Sequence, residues 1–285
     1  MDEALKLQLI KEYGEELTNE IISGFVPKYV TVRCNIDKSI VMNILDENNI
    51  SYEEVSNNPY ALVLLNTDES DIQRLDIYNE GKIYLQSLSS QLPPLYMKIN
   101  DRDQVLDMCA APGGKTTELS IMYPNSLITA CEKNKIRCSR LEYNIKKQNV
   151  NNVTVMNIDG RDLSEYMSFD AILLDAPCSG TGTITGEGHT YNETINNIVK
   201  TQEILLKKAI KLLKNDKYMV YSTCSILKEE NEEQIKKVLS DNIEIIPIDI
   251  EGIEKLPSTL DGVVTIKPNK YYEGFFICLL HKKAQ

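Results

Sequence analysis

Residues 104–117, QVLDMCAAPGGKTT, decide how the rest of the chain is read. A short apolar strand (104–108) runs into small residues, a proline and two glycines, and a helix follows. Glycines directly after a first strand let the backbone approach a bound ligand closely. The phosphate-binding GxxxxGK loop would need a glycine five residues before Gly114, and Cys109 stands there. Pro112 also removes an amide donor from the loop. GxGxxG is absent as well. An adenosyl ligand without a phosphate suits this loop better than a nucleotide does.

Downstream, strands and helices alternate. Strands are predicted over 127–131, 153–158, 171–174 and 218–222. Helices are predicted over 136–148 and over roughly twenty residues ending near Leu213. Short apolar strands alternating with helices imply a mainly parallel sheet covered on both faces, with ligands at the carboxyl ends of the strands. The informative residues follow the strands as that rule requires. Glu132 comes after the second strand, where a carboxylate can bind two ribose hydroxyls. Asp159 comes after the third and could hold an adenine amino group, and Asp175 comes after the fourth. A single acid of this kind commonly caps a helix. The succession of suitable residues across the strand ends carries the argument.

Upstream the pattern differs. Residues 1–23 space Leu5, Leu9, Tyr13, Leu17 and Ile21 as one amphipathic helix. Strands are predicted over 31–35, 60–65 and 82–85, and helices over 39–48 and 69–78, with Asp37 or Ser39 as a cap. This is a small α+β unit, and the Pro93-Pro94 pair reads as a junction. Two domains are expected, 1–95 and 96–285.

The chain has 285 residues and seven cysteines, at irregular spacings with no CxxC pair. That argues against a disulfide framework and a thiolate zinc site, and two histidines make a metal-histidine cluster unlikely. No metal is expected. The start of the chain lacks the basic residues and apolar core of a signal peptide, and there is no run of 18 or more apolar residues. A cytoplasmic monomer is expected. The net charge of −11 sits awkwardly with nucleic-acid binding. Lys200, Lys207, Lys208, Lys211, Lys214 and Lys217 form one basic run, which reads as a solvated helix face before an RNA contact.

Two cysteines stand apart from the rest. The fourth strand leads into DAPCSGTG (175–182) and the fifth into YSTCS (221–225). Cys178 and Cys224 therefore both lie beyond strand ends, at the edge where a cofactor should sit. Cys34, Cys131, Cys138 and Cys278 are read as small buried hydrophobes. A thiolate is what carbon-5 methylation of a pyrimidine needs. Adding it to carbon 6 makes carbon 5 nucleophilic enough to take a methyl group. Asp175 is placed to assist at ring nitrogen 3. Spacing alone does not choose between the two cysteines.

The motifs DMCAAPGGK (107–115), DAPCSGTG and YSTCS, with EENE (229–232) after them, resemble the RsmB/Sun-type RNA (cytosine-5) methyltransferases. Weaker echoes are TVRCN (31–35), QSLSS (86–90) and EGFF (273–276). The resemblance implies a Rossmann-like methyltransferase domain preceded by a small RNA-recognition-like α+β domain, with S-adenosylmethionine as cofactor and RNA, ribosomal or transfer, as partner. It implies cofactor contacts at Cys109, Ala110, Ala111, Pro112, Gly113, Gly114, Lys115, Glu132, Asp159 and Asp175. It makes Cys224 the nucleophile and gives Cys178 a part in product release. Residues 186–190, GEGHT, depart from the basic and aromatic segment common after the Pro-Cys motif, and Glu273 stands where aspartate is usual. The rivals are a methyltransferase for another substrate class, a non-catalytic RNA-binding or assembly factor keeping the fold, and a P-loop nucleotidase.

Overall fold

The computed structural model describes residues 2–185 and 195–284, so the 186–190 departure and His189 lie outside the described residues. The chain opens with two helices where apolar spacing predicts one: α1 (Glu3–Tyr13) and α2 (Glu15–Ser23). Gly14 separates them at φ 80°, a conformation that costs a glycine little and breaks the helical hydrogen-bond ladder. Leu5, Leu9 and Ile21 still share one buried face, but it packs on Ile184, Ile226, Leu227 and Leu256, far along the sequence.

A four-stranded sheet follows. Its elements are β1 (Val30–Cys34), α3 (Lys38–Glu47), β2 (Tyr52–Glu54), β3 (Ala61–Leu64), α4 (Glu69–Arg74), α5 (Asp76–Asn79) and β4 (Ile83–Leu85). The strand order is β2-β3-β1-β4, antiparallel throughout. Val32, Val41, Leu45, Leu62, Ile72 and Ile83 form its core. Asp37 caps α3 by accepting the Ser39 amide. Strand β2 escapes sequence reading because it is three residues long and carries two glutamates. The single helix expected over 69–78 breaks at Leu75, whose backbone is extended.

The two prolines read as a junction instead sit inside α6 (Leu88–Leu95), both buried. Proline removes a helical donor. Here the Gln86 side chain supplies one in its place: its Nε2 donates to the Ser90 carbonyl, the acceptor that Pro94 cannot serve.

The larger sheet begins with β5 (Gln104–Asp107), α7 (Gly114–Met122), β6 (Leu127–Cys131), α8 (Lys135–Lys147) and β7 (Val153–Met156). It continues with β8 (Phe169–Asp175), α9 (Ile195–Leu212), β9 (Leu213–Thr223) and α10 (Glu232–Lys236). Four strands close it: β10 (Ile243–Ile246), β11 (Lys255–Leu256), β12 (Val264–Ile266) and β13 (Phe275–Lys282). The strands β7-β6-β5-β8-β9 run parallel. Beyond β9 the sheet turns antiparallel, through β13 with β12, β11 and β10. Apolar residues alternate across both faces. Leu106, Ile172 and Leu174 meet Leu205, Leu206 and Leu212 of α9, while Val105, Ala171 and Leu173 share the opposite core with Leu119 and Ile128. Each such fully buried Leu or Ile contributes about 1.5–3 kcal/mol.

The order reverses at β5. The chain passes from β5 through β6 to β7 in one direction, then returns to β8 and β9 in the other. A crevice opens at such a switch point, beyond the carboxyl ends of β5 and β8. Among the described residues, no helix is long and apolar enough to cross a membrane.

Candidate active site

The 107–115 loop is held from both sides. Asp107 is buried and accepts a hydrogen bond from Thr116 Oγ1 at 2.7 Å, while burial pushes its carboxyl up to about 7. The Ala110 amide donates to the Cys131 carbonyl, Arg137 donates to the Ala111 carbonyl, and Asn144 donates to the Pro112 carbonyl. Gly113 turns the chain at φ 109°, where a Cβ would come within 2.9 Å of Leu141 Cδ1. No other residue fits that turn.

This loop is a wall between two cavities. The first, about 310 Å³, is lined by Cys109, Ala111, Glu132, Asp159, Asp175, Cys178 and Cys224. The second, about 350 Å³, is lined by Ala110, Pro112, Gly114 and Lys115, with Ser87 and Glu273 across from them. Cys109, Ala111 and Asp175 face both, and Gly113 faces neither. A larger, amide-lined cleft of about 710 Å³ around Asn35, Gln148 and Asn152 holds none of these residues.

The first cavity fits S-adenosylmethionine. Met108 and Leu205 give it apolar surface for a purine, and three carboxylates face a ligand that carries a sulfonium and an ammonium. Glu132 is buried at the end of β6. One of its oxygens accepts the Asn134 amide at 2.8 Å, and the other lies 3.5 Å from Arg137. An ionised carboxylate keeps further lone pairs for a ribose diol. Asp159 accepts three bonds from Arg161, which hold its carboxyl below the usual range. Gly160 leaves room beside it, because a Cβ there would lie 2.7 Å from Met108 Cγ.

Strand pairing brings the two cysteines together. Asp175 on β8 is in register with Ser222 on β9, so the chains leaving both strands run side by side. Cys178 Sγ and Cys224 Sγ are 3.1 Å apart. The hydrogen bond to Cys224, and then burial, hold the Cys178 thiol well above its ordinary pKa. The Gly182 amide donates to the Cys224 carbonyl, and the Gly274 amide donates to the Gly182 carbonyl. A Cβ on Gly182 would lie 1.9 Å from the Gly274 carbonyl oxygen, so this three-loop clasp requires glycine.

Asp175 sits between a cation and a hydroxyl. Ser222 Oγ donates to one oxygen at 2.7 Å, and Lys115 Nζ lies 2.8 Å from the other. Lys115 also donates to Ser90 Oγ at 2.7 Å and lies 5.3 Å from the Phe275 ring centre. Burial opposes its charge, but Asp175 first, then Cys224 and Asp107, hold the ammonium above its ordinary pKa. Lys115, which the sequence groups with the cofactor residues, lines the second cavity and meets the first through Asp175, which borders both.

Cys34, Cys138 and Cys278 are free and buried away from both cavities, while the buried Cys131 lines the first and Cys109 lines both. The basic run on α9 and β9 is largely neutralised: Lys207 pairs with Glu203, Lys211 with Glu165, and Lys214 and Lys217 with Asp170. Among the described residues no group of three or more His, Cys, Asp or Glu side chains is placed to hold a metal ion.

Residues 94–281 match the family model described as 16S rRNA methyltransferase RsmB/F. The chain belongs to the RsmB/F methyltransferase family. It is 36% identical over 219 residues to the ribosomal RNA small subunit methyltransferase F of Vibrio vulnificus, covering 72% of this chain and 46% of that protein. It is 31% identical over 294 residues to a probable ribosomal RNA small subunit methyltransferase B of Coxiella burnetii, covering 95% of this chain and 66% of that one. The chain thus spans about half the length of the F-type relative. Among solved structures, a methyltransferase homolog protein from Pyrococcus horikoshii superposes with a TM-score of 0.85 at 26% identity, each chain covered completely. NSun6 from the same organism, solved with SFG, gives 0.88 at 21% identity over 99% of this chain and 98% of its own, a likeness of fold. The cofactor of this RsmB/F member is S-adenosylmethionine.

Sequence reasoning assigned no role to several residues that build this site. Glu230 is fully buried and accepts from the Ser179 amide (2.8 Å), Ser179 Oγ (2.5 Å) and Gln202 Nε2 (3.1 Å). It ties the Cys178 loop to α9. The EENE motif contained it, but only burial singles it out from its glutamate neighbours. Ser222 was hidden inside a strand. Arg33 is 2% exposed and donates to the Gly114 carbonyl at 2.5 Å and to Thr117 Oγ1 at 2.9 Å. An arginine in a predicted strand of a separate unit gave no hint of that reach.

Proposed function

We propose that this chain transfers a methyl group from S-adenosylmethionine to carbon 5 of a cytosine in RNA, ribosomal or transfer, through a covalent adduct with Cys224. The observation that carries the reading is the 3.1 Å sulfur pair beside the Lys115–Asp175 ion pair. Another class of methyltransferase needs no such pair of thiols.

In this reading the Cys224 thiolate adds to carbon 6, and the electron pair of the 5,6 double bond becomes available at carbon 5. The Lys115–Asp175 pair supplies a hydrogen bond at ring nitrogen 3, where negative charge builds as the sulfur adds. S-adenosylmethionine, when bound, supplies a methyl group activated on a sulfonium. The carbon-5 proton then leaves to a base, the double bond re-forms, and the bond from carbon 6 to sulfur breaks. Cys178 retains its thiol proton and stabilises the departing Cys224 sulfur by hydrogen bonding. Residues 1–95 contribute the RNA-binding unit, with α1 and α2 lent to the Cys224 side. Residues 96–285 contribute the catalytic unit. The enzyme works in the cytoplasm as a monomer.

The test is a pair of variants with labelled cofactor and RNA. Cys224→Ser is expected to lower turnover by about 10³-fold or more and to form no adduct. Cys178→Ala is expected to trap protein–RNA adduct on denaturing gels, since addition proceeds while release stalls. Adduct from Cys224→Ser, or none from Cys178→Ala, reverses the roles or removes them.

A further inference from the structure

The protein carries a net charge of −11, yet one helix stands out against it. Helix α8 reads KIRCSRLEYNIKK, five basic residues with Glu142 as its single acid. Lys133, Lys135, Arg140 and Lys146 are all exposed, and none has a carboxylate within ion-pair distance among the described residues. On α9 and β9, Lys207, Lys211 and Lys214 are spent on Glu203, Glu165 and Asp170. On α8, Arg137 pairs with Glu132, and Lys135, Arg140 and Lys146 are left over.

Helical spacing sorts the rest of α8. Cys138 and Leu141 face the core, so Ile136, Arg140, Tyr143 and Lys147 face outward. Ile136 is 70% exposed and Tyr143 is 65% exposed, a large apolar cost for a helix with nothing on it. Lys147 Nζ lies 3.3 Å from the Tyr78 ring centre, which extends the cationic and aromatic face onto the small sheet. The other flank of α8 is anchored to the wall between the cavities: Arg137 bonds the Ala111 carbonyl, and Asn144 bonds the Pro112 carbonyl and Tyr84 OH. A strand lying along α8 is thereby led from the small sheet to the reaction site.

We propose that this face of α8 is the track for single-stranded RNA, with Lys135, Arg140 and Lys146 on phosphates and a base stacked on Tyr143. Unpaired cations interleaved with an exposed ring are what a single strand binds: phosphate neutralisation gives affinity, and stacking tolerates any base. The inference rests on RNA being the substrate.

The test uses the whole chain, a fluorescently labelled single-stranded RNA and anisotropy across a salt series. Neutralising the track (Lys135→Gln, Arg140→Gln, Lys146→Gln together) is expected to weaken binding about 100-fold at low salt. It should also reduce the slope of log affinity against log salt by about 2, at roughly 0.7 per phosphate contact on a single strand. Tyr143→Ala alone should weaken binding about 10-fold, and Tyr143→Phe should restore it, because the ring and not the hydroxyl stacks. The matched set Lys207→Gln, Lys208→Gln and Lys211→Gln on α9 should bind as the parent does. Cofactor binding by calorimetry reports whether each variant is folded. If the parent binds and methylates RNA and the α8 set matches it in affinity and slope, the track is wrong while the methyltransferase reading stands. If the Tyr143 variants are silent while the charge set is not, phosphates lie on this face but no base stacks on Tyr143, and the inference of a stacked single strand falls. A parent that binds cofactor but no RNA overturns both readings.

Discussion

The two cavities on either side of the 107–115 loop are similar in volume, about 310 and 350 Å³, and differently lined. One presents the sulfur pair, with Glu132, Asp159, Lys133 and Arg137. The other presents Lys115, two serines and the carboxylates of Glu69, Asp107 and Glu273, under a roof supplied by Tyr84 and Leu85 of the small sheet. Cys109, Ala111 and Asp175 belong to both. In the proposed reaction one short loop serves two ligands. Met108 faces only the first cavity, and Asp107, Ala110, Pro112, Gly114 and Lys115 face only the second, so a motif that reads as a single cofactor signature is divided between two cavities.

Breaking the shared wall should have the largest effect. Asp107 is an acid whose carboxyl is raised in the folded state, to about 7 from the ordinary 3.9 or so. Between those values the folded chain binds more protons than the unfolded one, so stability falls as pH rises, by up to about 1.4 kcal/mol per pH unit. Asp107→Asn should flatten that fall, as read from denaturant unfolding between pH 4 and pH 8. An unchanged profile would mean that the buried acid is not the source.

The next effect should separate the cavities. Lys115→Gln is expected to cut kcat by about 100-fold while cofactor affinity stays within a few fold, because its amine faces the second cavity. Equal losses in both would join Lys115 to the cofactor side after all. Glu132→Gln should do the reverse, weakening cofactor binding by about 10-fold in calorimetry with little change in turnover at saturation. The smallest change sharpens the boundary. Ser87→Ala removes the 2.7 Å bond from Ser87 Oγ to Glu273, at a cost of about 1 kcal/mol in stability and none in cofactor affinity.

Much of this architecture was legible. Apolar strands separated by helical periods announced the parallel core, and residues just past each strand end announced the crevice, because backbone geometry puts them there whatever the rest of the chain does. Glu132, Asp159, Asp175, Cys178 and Cys224 do line one cavity. What stayed hidden depended on contacts between distant segments. Nothing local says that Gly14 splits the first helix, or that the face of α1 and α2 lies on the loop after Cys224. Nor does Pro93-Pro94 reveal that Gln86 supplies the donor which lets a helix run through it. Two of the acids that neutralise the basic run at 200–217, Glu165 and Asp170, were hidden for the same reason, since they lie on other segments. Of the strands beyond β9, β10, β11 and β12 gave too little pattern to be read, at two to four residues each.

Arg33 fixes how separable the halves of the molecule are. Its guanidinium leaves β1, crosses to Gly114 and Thr117, and lies 3.6 Å from Glu118, whose own carboxyl burial lifts to about 7. Excising the small sheet would therefore do more than discard an accessory module. It would strand an acid in the interior and unlatch the first turn of α7, so evolution cannot exchange the front half of this chain as freely as its modular outline suggests.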